Sequence, residues 1–232
     1  MCSAAIEYLR PRKWRHAARR RWFRARLQHA IPINDRSGID RLGSDYGGWL
    51  VPLAEVGQEW VVYSVGAGTD VTFDTELAKR CGCDVHVFDP TPAAVDHVRE
   101  LADPKLHMHA WALWTADCDI DMYLPRAGSG SLSAVNLQQT AEHVRLPARS
   151  LPSTMAELGH DRVDLLKVDI EGAEYDVLTP ELVLQAGVRI LAIDLHPNVA
   201  PRRALAFVEA FLAVGFVAAA LEETGITLSR TR

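Results

Sequence analysis

The fold is decided by one stretch of the chain, WVVYSVGAGTD at residues 60–70. Its first six residues are an apolar run rich in valine, which is typical of a short buried strand. Gly66 and Gly68 end that strand, and a helical pattern then continues to Cys81. A strand that passes through a G-x-G turn into a helix is typical of the first βα unit of an open parallel sheet.

The same alternation of strand and helix continues along the rest of the chain. Further strands are predicted at 85–88, 106–110, 120–124, 144–147, 163–168 and 189–195, and helices at 92–101, from 174 and at 201–213. Segments 216–221 and 226–229, joined by a turn at Thr224-Gly225, predict a closing hairpin. The pattern therefore predicts a Rossmann-like α/β fold, with a mostly parallel seven-stranded sheet and a C-terminal antiparallel hairpin.

Residues 1–58, ahead of this alternation, differ in composition from the rest. Nine basic residues and one acid lie among the first thirty, interleaved with tryptophans, which predicts an N-terminal basic helical arm over residues 3–29. Residues 31–58 contain many glycines and prolines, which is typical of a linker or lid. We therefore expect residues 1–58 to be an arm with a lid or linker, and residues 59–232 to form one domain.

The charge distribution limits the partners of the chain. The formal net charge is -5, yet the residues after position 30 carry 16 basic and 29 acidic side chains. An acidic body excludes a nucleic-acid substrate, because phosphate binding needs a basic surface. The basic arm with Trp14 and Trp22 is expected to contact an anionic membrane surface or to dock on a second copy as a homodimer; a solvated tail is the alternative.

The cysteines and apolar segments predict the compartment. Four cysteines in a chain of this length do not form a disulfide framework. The N-terminus lacks the apolar segment of a signal peptide, and the apolar run at 205–221 is interrupted by Glu209 and Gly215. We therefore expect a cytoplasmic protein without a membrane span.

The carboxyl ends of the first two predicted strands have the features of a nucleotide site. Gly66 and Gly68 let the backbone pass close to a ligand, and Asp89 ends the second strand, where it can accept both hydroxyls of an adenosine ribose. An NAD site would have a third glycine where this chain has Val71, and the sequence contains no G-x-x-x-x-G-K-[ST] phosphate loop. A tight turn without a ligand is the structural alternative.

Polar residues also follow the strands predicted at 163–168 and 189–195. Asp169 and Asp194 are expected to converge, because neighbouring parallel strands lie about 4.8 Å apart. The two carboxylates could then bind one hard divalent cation such as Mg²⁺. Glu171 or His196 would act as the general base. The alternatives are that Glu171 caps the following helix and that His196 packs in the core.

Residues 164–174, DLLKVDIEGAE, resemble the signature of the FkbM-type methyltransferases. Three further segments agree with that family: the glycine loop at 62–70, the FDPTP segment at 88–92, and Asp194-Leu195-His196. The resemblance covers about residues 43–200. It implies the class I methyltransferase fold, with residues 59–232 as an S-adenosylmethionine (SAM)-dependent domain, and O-methylation of sugars or secondary metabolites.

Two residues depart from the family pattern. Ser64 lies where an acid is usual, and Asp70 replaces the last glycine of the loop. Asp70 is therefore expected to contact the ammonium group of the methionine moiety. The altered loop favours one alternative, a catalytically silent SAM-binding module; N- or C-methylation of a secondary metabolite is another.

The resemblance and the motifs together predict a set of site residues. The acceptor is expected to be a hydroxyl of a sugar, an oligosaccharide or a related small molecule, such as a precursor of a methylated-mannoside polysaccharide. His143, beside a Gly/Ser insert at 128–131, is a further candidate base. Catalytic roles are thus predicted for Asp169, Glu171, His196 and His143; metal binding for Asp169 and Asp194; and cofactor binding for Tyr46, Ser64, Gly66, Gly68, Asp70, Asp89, Thr91, Ala112 and Asp169.

Overall fold

The structure is a computed structural model, and it describes residues 25–29, 31, 38–126, 131–196 and 201–230. The predictions for most of the arm, residues 1–24, and for positions 128–130 of the Gly/Ser insert lie outside the described residues. Within the described part of the chain, none of the helices combines the length and the apolar character needed to cross a membrane.

The described elements from residue 61 onward are strands and helices that mostly alternate, with a run of four strands at residues 106–149. In chain order they are β1 (Asp40–Leu42), β2 (Trp49–Val51), β3 (Val61–Val65), α1 (Thr72–Cys81), β4 (Asp84–Phe88), α2 (Pro92–Leu101), β5 (Leu106–His109), β6 (Ala112–Leu113), β7 (Cys118–Tyr123), β8 (His143–Arg149), α3 (Leu151–Leu158), β9 (Leu165–Val168), α4 (Glu174–Val177), α5 (Pro180–Gln185), β10 (Ile190–Asp194), α6 (Pro201–Ala213), β11 (Val217–Glu222) and β12 (Gly225–Ser229). A 3-10 turn at Leu53–Glu55 precedes β3.

Seven of these strands form the central sheet, in the order β11-β12-β10-β9-β3-β4-β5. Neighbours from β10 to β5 are parallel, and β12 is antiparallel to both β10 and β11. The predicted fold is therefore confirmed: an α/β, Rossmann-like, mostly parallel seven-stranded sheet with a C-terminal antiparallel hairpin. The direction of strand addition reverses between β3 and β9, and ligands of such sheets bind at that switch point.

Apolar side chains on both faces of the sheet form the core. On one face Val62, Leu165 and Ile190 pack with α1, and on the other Tyr63 and Leu166 pack with α6. The helical turn at residues 25–29 also packs on this second face, where Leu27 is fully buried. Full burial of one such leucine contributes about 1.5–3 kcal/mol, so the end of the arm is anchored on the sheet.

Four histidines lie together on the sheet at β4, β5 and the end of α3. The ring of His86 stacks on His107 and on His109, and its Nδ1 lies 3.0 Å from His109 Nε2. His160 packs edge-on against His86, and its Nδ1 forms a 2.8 Å hydrogen bond with the Tyr63 hydroxyl. Burial is the main cause that lowers the pKa of His86 to about 3 and that of His109 to about 4, so these two rings are uncharged at neutral pH.

Several elements were not predicted from the sequence pattern. The two-stranded ladder β1–β2 lies within the predicted lid or linker, and its Arg41 pairs with Glu222 of the C-terminal hairpin at 3.1 Å. Strands β7 and β8, predicted at 120–124 and 144–147, pair with the unpredicted β6 in a second small sheet, in the order β6-β8-β7, instead of joining the central sheet. Residues of β6 and β7 form one wall of a cleft at the carboxyl ends of the central strands. Helix α3 was missed although it has the usual boundary signals: the Ser150 side chain caps its start and Gly159, with φ +71, follows its end.

Candidate active site

A cleft of about 1610 Å³ opens at the carboxyl ends of β3, β4, β9 and β10. Pockets for a single small ligand usually measure about 300–1,000 Å³, so this cleft has room for a cofactor and an acceptor together. Both glycines of the G-x-G turn and the acids that follow β4, β9 and β10 line it. The sheet topology therefore brings both predicted halves of the site into one space.

The cofactor half is built around Gly66 and Asp89. Gly66 has φ +77, and a Cβ there would lie 1.8 Å from the Asp169 carbonyl oxygen, so only glycine lets β3 and β9 approach this closely. The Gly68 N–H donates to Asp89 Oδ2 at 2.9 Å, while the Thr91 N–H and hydroxyl donate to Asp89 Oδ1 at 2.9 and 2.6 Å. These bonds hold a carboxylate with further acceptor capacity at the cleft wall, which suits a ribose diol.

Asp70 lines the cleft and also joins two backbone segments. Its carboxylate accepts the Ser44 hydroxyl and the Thr72 hydroxyl, both at 2.6 Å, and the Thr72 N–H at 3.1 Å. Partial burial alone would raise the pKa of Asp70, but these hydrogen bonds outweigh it and lower the pKa. The residue therefore connects the segment around Ser44 to the start of α1, a role that the sequence analysis did not foresee.

The other predicted cofactor residues occupy different positions. Tyr46 is 90% exposed at the cleft wall, and Ala112 lines the cleft from β6. Ser64 is fully buried in β3, on the α1 side of the sheet, and the described residues that line the cleft do not include it. Asp74 of α1 is also buried, and its complete burial raises the pKa of its carboxyl group.

The acceptor half of the cleft contains a cluster of acids around one histidine. His196 Nδ1 lies 3.0 Å from Glu174 Oε1, and its Nε2 lies 3.4 Å from Glu171 Oε2, 3.7 Å from Asp194 Oδ2 and 3.9 Å from Asp169 Oδ1. Asp169, Glu171, Asp194 and His196 are thus brought together as the sequence predicted. Asp169 Oδ1 is buried and has no hydrogen-bond partner among the described residues.

The electrostatics of this cluster favour a charged histidine. Burial alone would lower the pKa of His196, but hydrogen bonds with Glu171 and Glu174 and the nearby acids raise it to about 11. Burial, and then repulsion from Asp194, raises the pKa of Asp169 to about 7, and burial also raises that of Asp194. A histidinium with carboxylates at both ring nitrogens is poorly placed to be the proton acceptor, so a carboxylate suits that role better.

The EGAE part of the signature forms the turn that presents these groups. Glu174 is fully buried, and its Oε1 accepts the N–H groups of Ile170 and Gly172 at 3.0 and 3.3 Å. Glu171 and Gly172 both have left-handed backbones, with φ +54 and φ +99. Glu174 therefore stabilises a tight turn after β9 and at the same time orients His196.

The donor groups permit a divalent cation, and Glu171 and His196 offer further ligand atoms beside the predicted pair Asp169 and Asp194. One ligand atom each from Asp169, Glu171 and His196 can lie within 4.8 Å of one another. Asp169 Oδ1, which has no hydrogen-bond partner among the described residues, is free to bind a cation. Protonated His196 opposes cation binding, because the histidinium already supplies positive charge to the acids. A metal would therefore be held by two carboxylates and neutral His196, with Asp194 beside them.

His143 lies apart from this cluster. It is exposed at the start of β8, its Nδ1 is 3.2 Å from the Ala141 carbonyl oxygen, and the described residues that line the cleft do not include it. The structure thus does not bring this candidate base to the other predicted residues.

Two residues that the sequence analysis passed over contribute to the site. Lys167 is only 4% exposed; its Nζ donates to the Gly66 carbonyl oxygen at 3.3 Å and lies 5.7 Å from the centre of the Trp49 ring. Ser133 donates to the Glu171 carbonyl oxygen at 2.8 Å. Lys167 could have been noticed in the sequence, because a lysine is rare inside an otherwise apolar strand. No local pattern marks Ser133.

Comparisons with known proteins show the family of the chain. A family model described as a methyltransferase domain matches residues 3–229. The chain is 31% identical over 179 residues to a probable methyltransferase-like protein 24 from Rattus norvegicus, which covers 70% of this chain and 44% of that protein. It is 33% identical over 140 residues to the probable methyltransferase-like protein 24 from Homo sapiens, covering 58% and 32%.

The chain thus spans less than half the length of the curated relatives that it matches. A fibrillarin pre-rRNA processing protein from Methanococcus jannaschii aligns in structure with a TM-score of 0.42 and 8% identity, covering 85% of this chain and 84% of that one. The family model covers nearly all of the sequence, and the chain therefore belongs to the methyltransferase-domain family.

Proposed function

We propose that the protein is a SAM-dependent O-methyltransferase that methylates a hydroxyl group of a sugar, an oligosaccharide or a related small molecule. Membership of the family implies SAM as the methyl donor. The observation that carries the proposal is the position of the Asp169–His196 cluster, which shares one cleft with the Gly66–Asp89 cofactor half. An FkbM-type subfamily is supported by the DLLKVDIEGAE string at residues 164–174.

The cofactor residues in this proposal are those that meet at the ends of β3 and β4. Asp89 accepts the ribose hydroxyls, and Gly66 and Gly68 let the backbone pass close to the cofactor. Tyr46 contributes to the wall of the cleft. When bound, SAM supplies a methyl group on a sulfonium, so that transfer forms an oxygen–methyl bond, leaves the electron pair of the broken bond on sulfur and releases the hydroxyl proton.

The chain itself must remove that proton, because a sugar hydroxyl is a poor nucleophile near neutral pH. We assign this role to Asp169, whose Oδ1 is buried in the cleft without a hydrogen-bond partner among the described residues. Glu171 lies beside it as the second carboxylate, and His196 orients both acids. The acidic surroundings favour a neutral acceptor over a phosphate or carboxylate near the reacting hydroxyl.

A divalent cation held by Asp169, Glu171 and neutral His196 is a second component of the proposal. It would lower the pKa of a coordinated hydroxyl and so ease its deprotonation.

The partner predictions for the arm are supported by its composition alone. Deletion of residues 1–24, which leaves the buried Leu27 in place, followed by measurements of oligomeric state and liposome binding, tests them.

The test is methyl transfer from labelled SAM to a panel of hydroxyl and amine acceptors, with Asp169→Asn as the key variant. We expect Asp169→Asn to lower turnover by about 10²–10⁴-fold while its SAM affinity stays close to that of the wild type. Asp119→Asn is the matched control, because Asp119 is an exposed acid on β7 that the cleft lining does not include.

Three outcomes would overturn parts of the proposal. Full turnover of Asp169→Asn would exclude Asp169 as the proton acceptor. Transfer only to amines would replace O-methylation by N-methylation. SAM binding without turnover on any acceptor would favour a silent SAM-binding module.

A further inference from the structure

Ser133 lies behind the acceptor half of the cleft, next to the catalytic cluster. Its neighbours Leu132 and Ala134 line the cleft, whereas Ser133 itself is 5% exposed. Its hydroxyl donates to the Glu171 carbonyl oxygen at 2.8 Å and accepts the Val135 N–H at 3.0 Å. The side chain therefore points away from the acceptor space and onto the backbone of Glu171.

The backbone of Ser133 is fixed on its other side by the small sheet. The Tyr123 N–H donates to the Ser133 carbonyl oxygen at 2.8 Å, and the Ser133 N–H donates to the Tyr123 carbonyl oxygen at 3.3 Å. Tyr123 ends β7, which pairs with β8 along its whole length. Ser133 thus links the sheet that forms the acceptor wall to the turn that carries Glu171.

Glu171 needs such support, because its backbone is in a region that non-glycine residues rarely adopt. Its φ is +54, and in a left-handed backbone the Cβ of an L-residue lies too close to the neighbouring carbonyl oxygen. Its side chain nevertheless reaches to 3.4 Å from His196 Nε2. If the Glu171 carbonyl lost its partner, the turn could relax and the carboxylate would leave this position.

We propose that Ser133 is a positioning residue that holds Glu171 in its left-handed conformation and couples acceptor binding on the wall at Leu132 and Ala134 to the catalytic cluster. The coupling to turnover rests on the proposed O-methyltransferase function. The positioning of Glu171 against His196 is independent of it, since it follows from contacts within the chain.

The experiment compares Ser133→Ala, Ser133→Thr and Thr140→Val. Thr140→Val is the matched control, because the Thr140 hydroxyl also donates to a backbone carbonyl oxygen of the same segment, that of Leu124, at 2.7 Å. We measure kcat and KM for the acceptor, SAM affinity by calorimetry, thermal melting, and the ring NMR signals of His196 in the SAM-bound protein.

We expect Ser133→Ala to lower kcat by about 10- to 100-fold and to shift the His196 ring signals, with SAM affinity unchanged. Ser133→Thr keeps the hydroxyl and should restore most of kcat and the wild-type signals, and Thr140→Val should stay within about twofold in kcat. Unchanged kcat and His196 signals in Ser133→Ala, or equal losses in Thr140→Val, would overturn the proposal.

The NMR arm separates this proposal from the proposed function. If the wild type methylates no acceptor, the proposed function fails, and the His196 signals alone decide whether Ser133 positions Glu171. In that case wild-type signals in Ser133→Ala would refute the positioning role as well.

Discussion

Gly66→Ala is expected to destabilise the fold at the point where β3 meets β9. A Cβ at this position would lie 1.8 Å from the Asp169 carbonyl oxygen and 2.7 Å from its carbonyl carbon. Both are backbone atoms, so a flexible side chain cannot move aside to relieve the clash. The Gly66 N–H donates to the Phe88 carbonyl oxygen at 2.9 Å, and its own carbonyl accepts Lys167, so any shift also strains these bonds.

The size of the effect follows from two contributions. The left-handed conformation of Gly66, with φ +77, costs about 1–2 kcal/mol for alanine. Moving the two strands apart by more than an ångström adds about 1–3 kcal/mol, as overpacking of a close-packed core does. The sum, about 2–5 kcal/mol, is a large part of the 5–15 kcal/mol that stabilises a typical domain.

Gly68→Ala is the matched control in the same loop. Gly68 also has a left-handed backbone, with φ +57, but its Cβ would meet nothing within 4 Å. We expect it to lose only about 1–2 kcal/mol of unfolding free energy. Urea denaturation monitored by circular dichroism measures both variants, and SAM calorimetry is run beside it. Equal free energies of unfolding for Gly66→Ala and Gly68→Ala would refute the argument from close approach.

The remaining predictions concern the cofactor, protons and metal. Asp89→Ala should weaken SAM binding by about 2–4 kcal/mol, because it removes charge-assisted hydrogen bonds to the ribose, and unchanged calorimetric affinity would exclude Asp89 from the ribose site. The free energy of unfolding should fall as the pH drops below about 6.5, by about 1–2 kcal/mol each for His86 and His109 at pH 5. The reason is that both histidines bind a proton in the unfolded state at this pH, whereas in the folded state their pKa values of about 3 and 4 keep them unprotonated. His86→Asn should flatten this acid limb in denaturation curves, and an unaltered profile would show that the stack does not cause it. Excess EDTA should reduce methyl transfer more than it reduces SAM affinity, and full turnover in EDTA would leave Asp169 as a proton acceptor without a metal.

Local sequence patterns were sufficient to predict the fold and the sheet edge at which the candidate site residues meet. The apolar run before Gly66, the alternation to residue 229 and the closing hairpin predicted the observed sheet, because strand and helix periodicities are properties of neighbouring residues. The topology rule for open sheets then predicted that Asp89, Asp169 and Asp194 would meet at one edge. Family resemblance added the chemistry expected there.

The roles of individual side chains depended on contacts between distant parts of the chain. His196 was a candidate base in the sequence, yet Glu174 and Glu171 occupy its two ring nitrogens, 22 and 25 positions away. Asp70 is bonded to Ser44, and Ser133 to the carbonyl of Glu171. Such bonds join residues 26 and 38 positions apart, and periodicity carries no information at that range. The sequence by itself therefore determined the alternation of strands and helices and the sheet edge at which Asp89, Asp169 and Asp194 meet, because both follow from local patterns and the topology rule. Only the tertiary structure decided which predicted strands join the central sheet and which contacts hold each acidic side chain in place, because those depend on residues far apart in the chain.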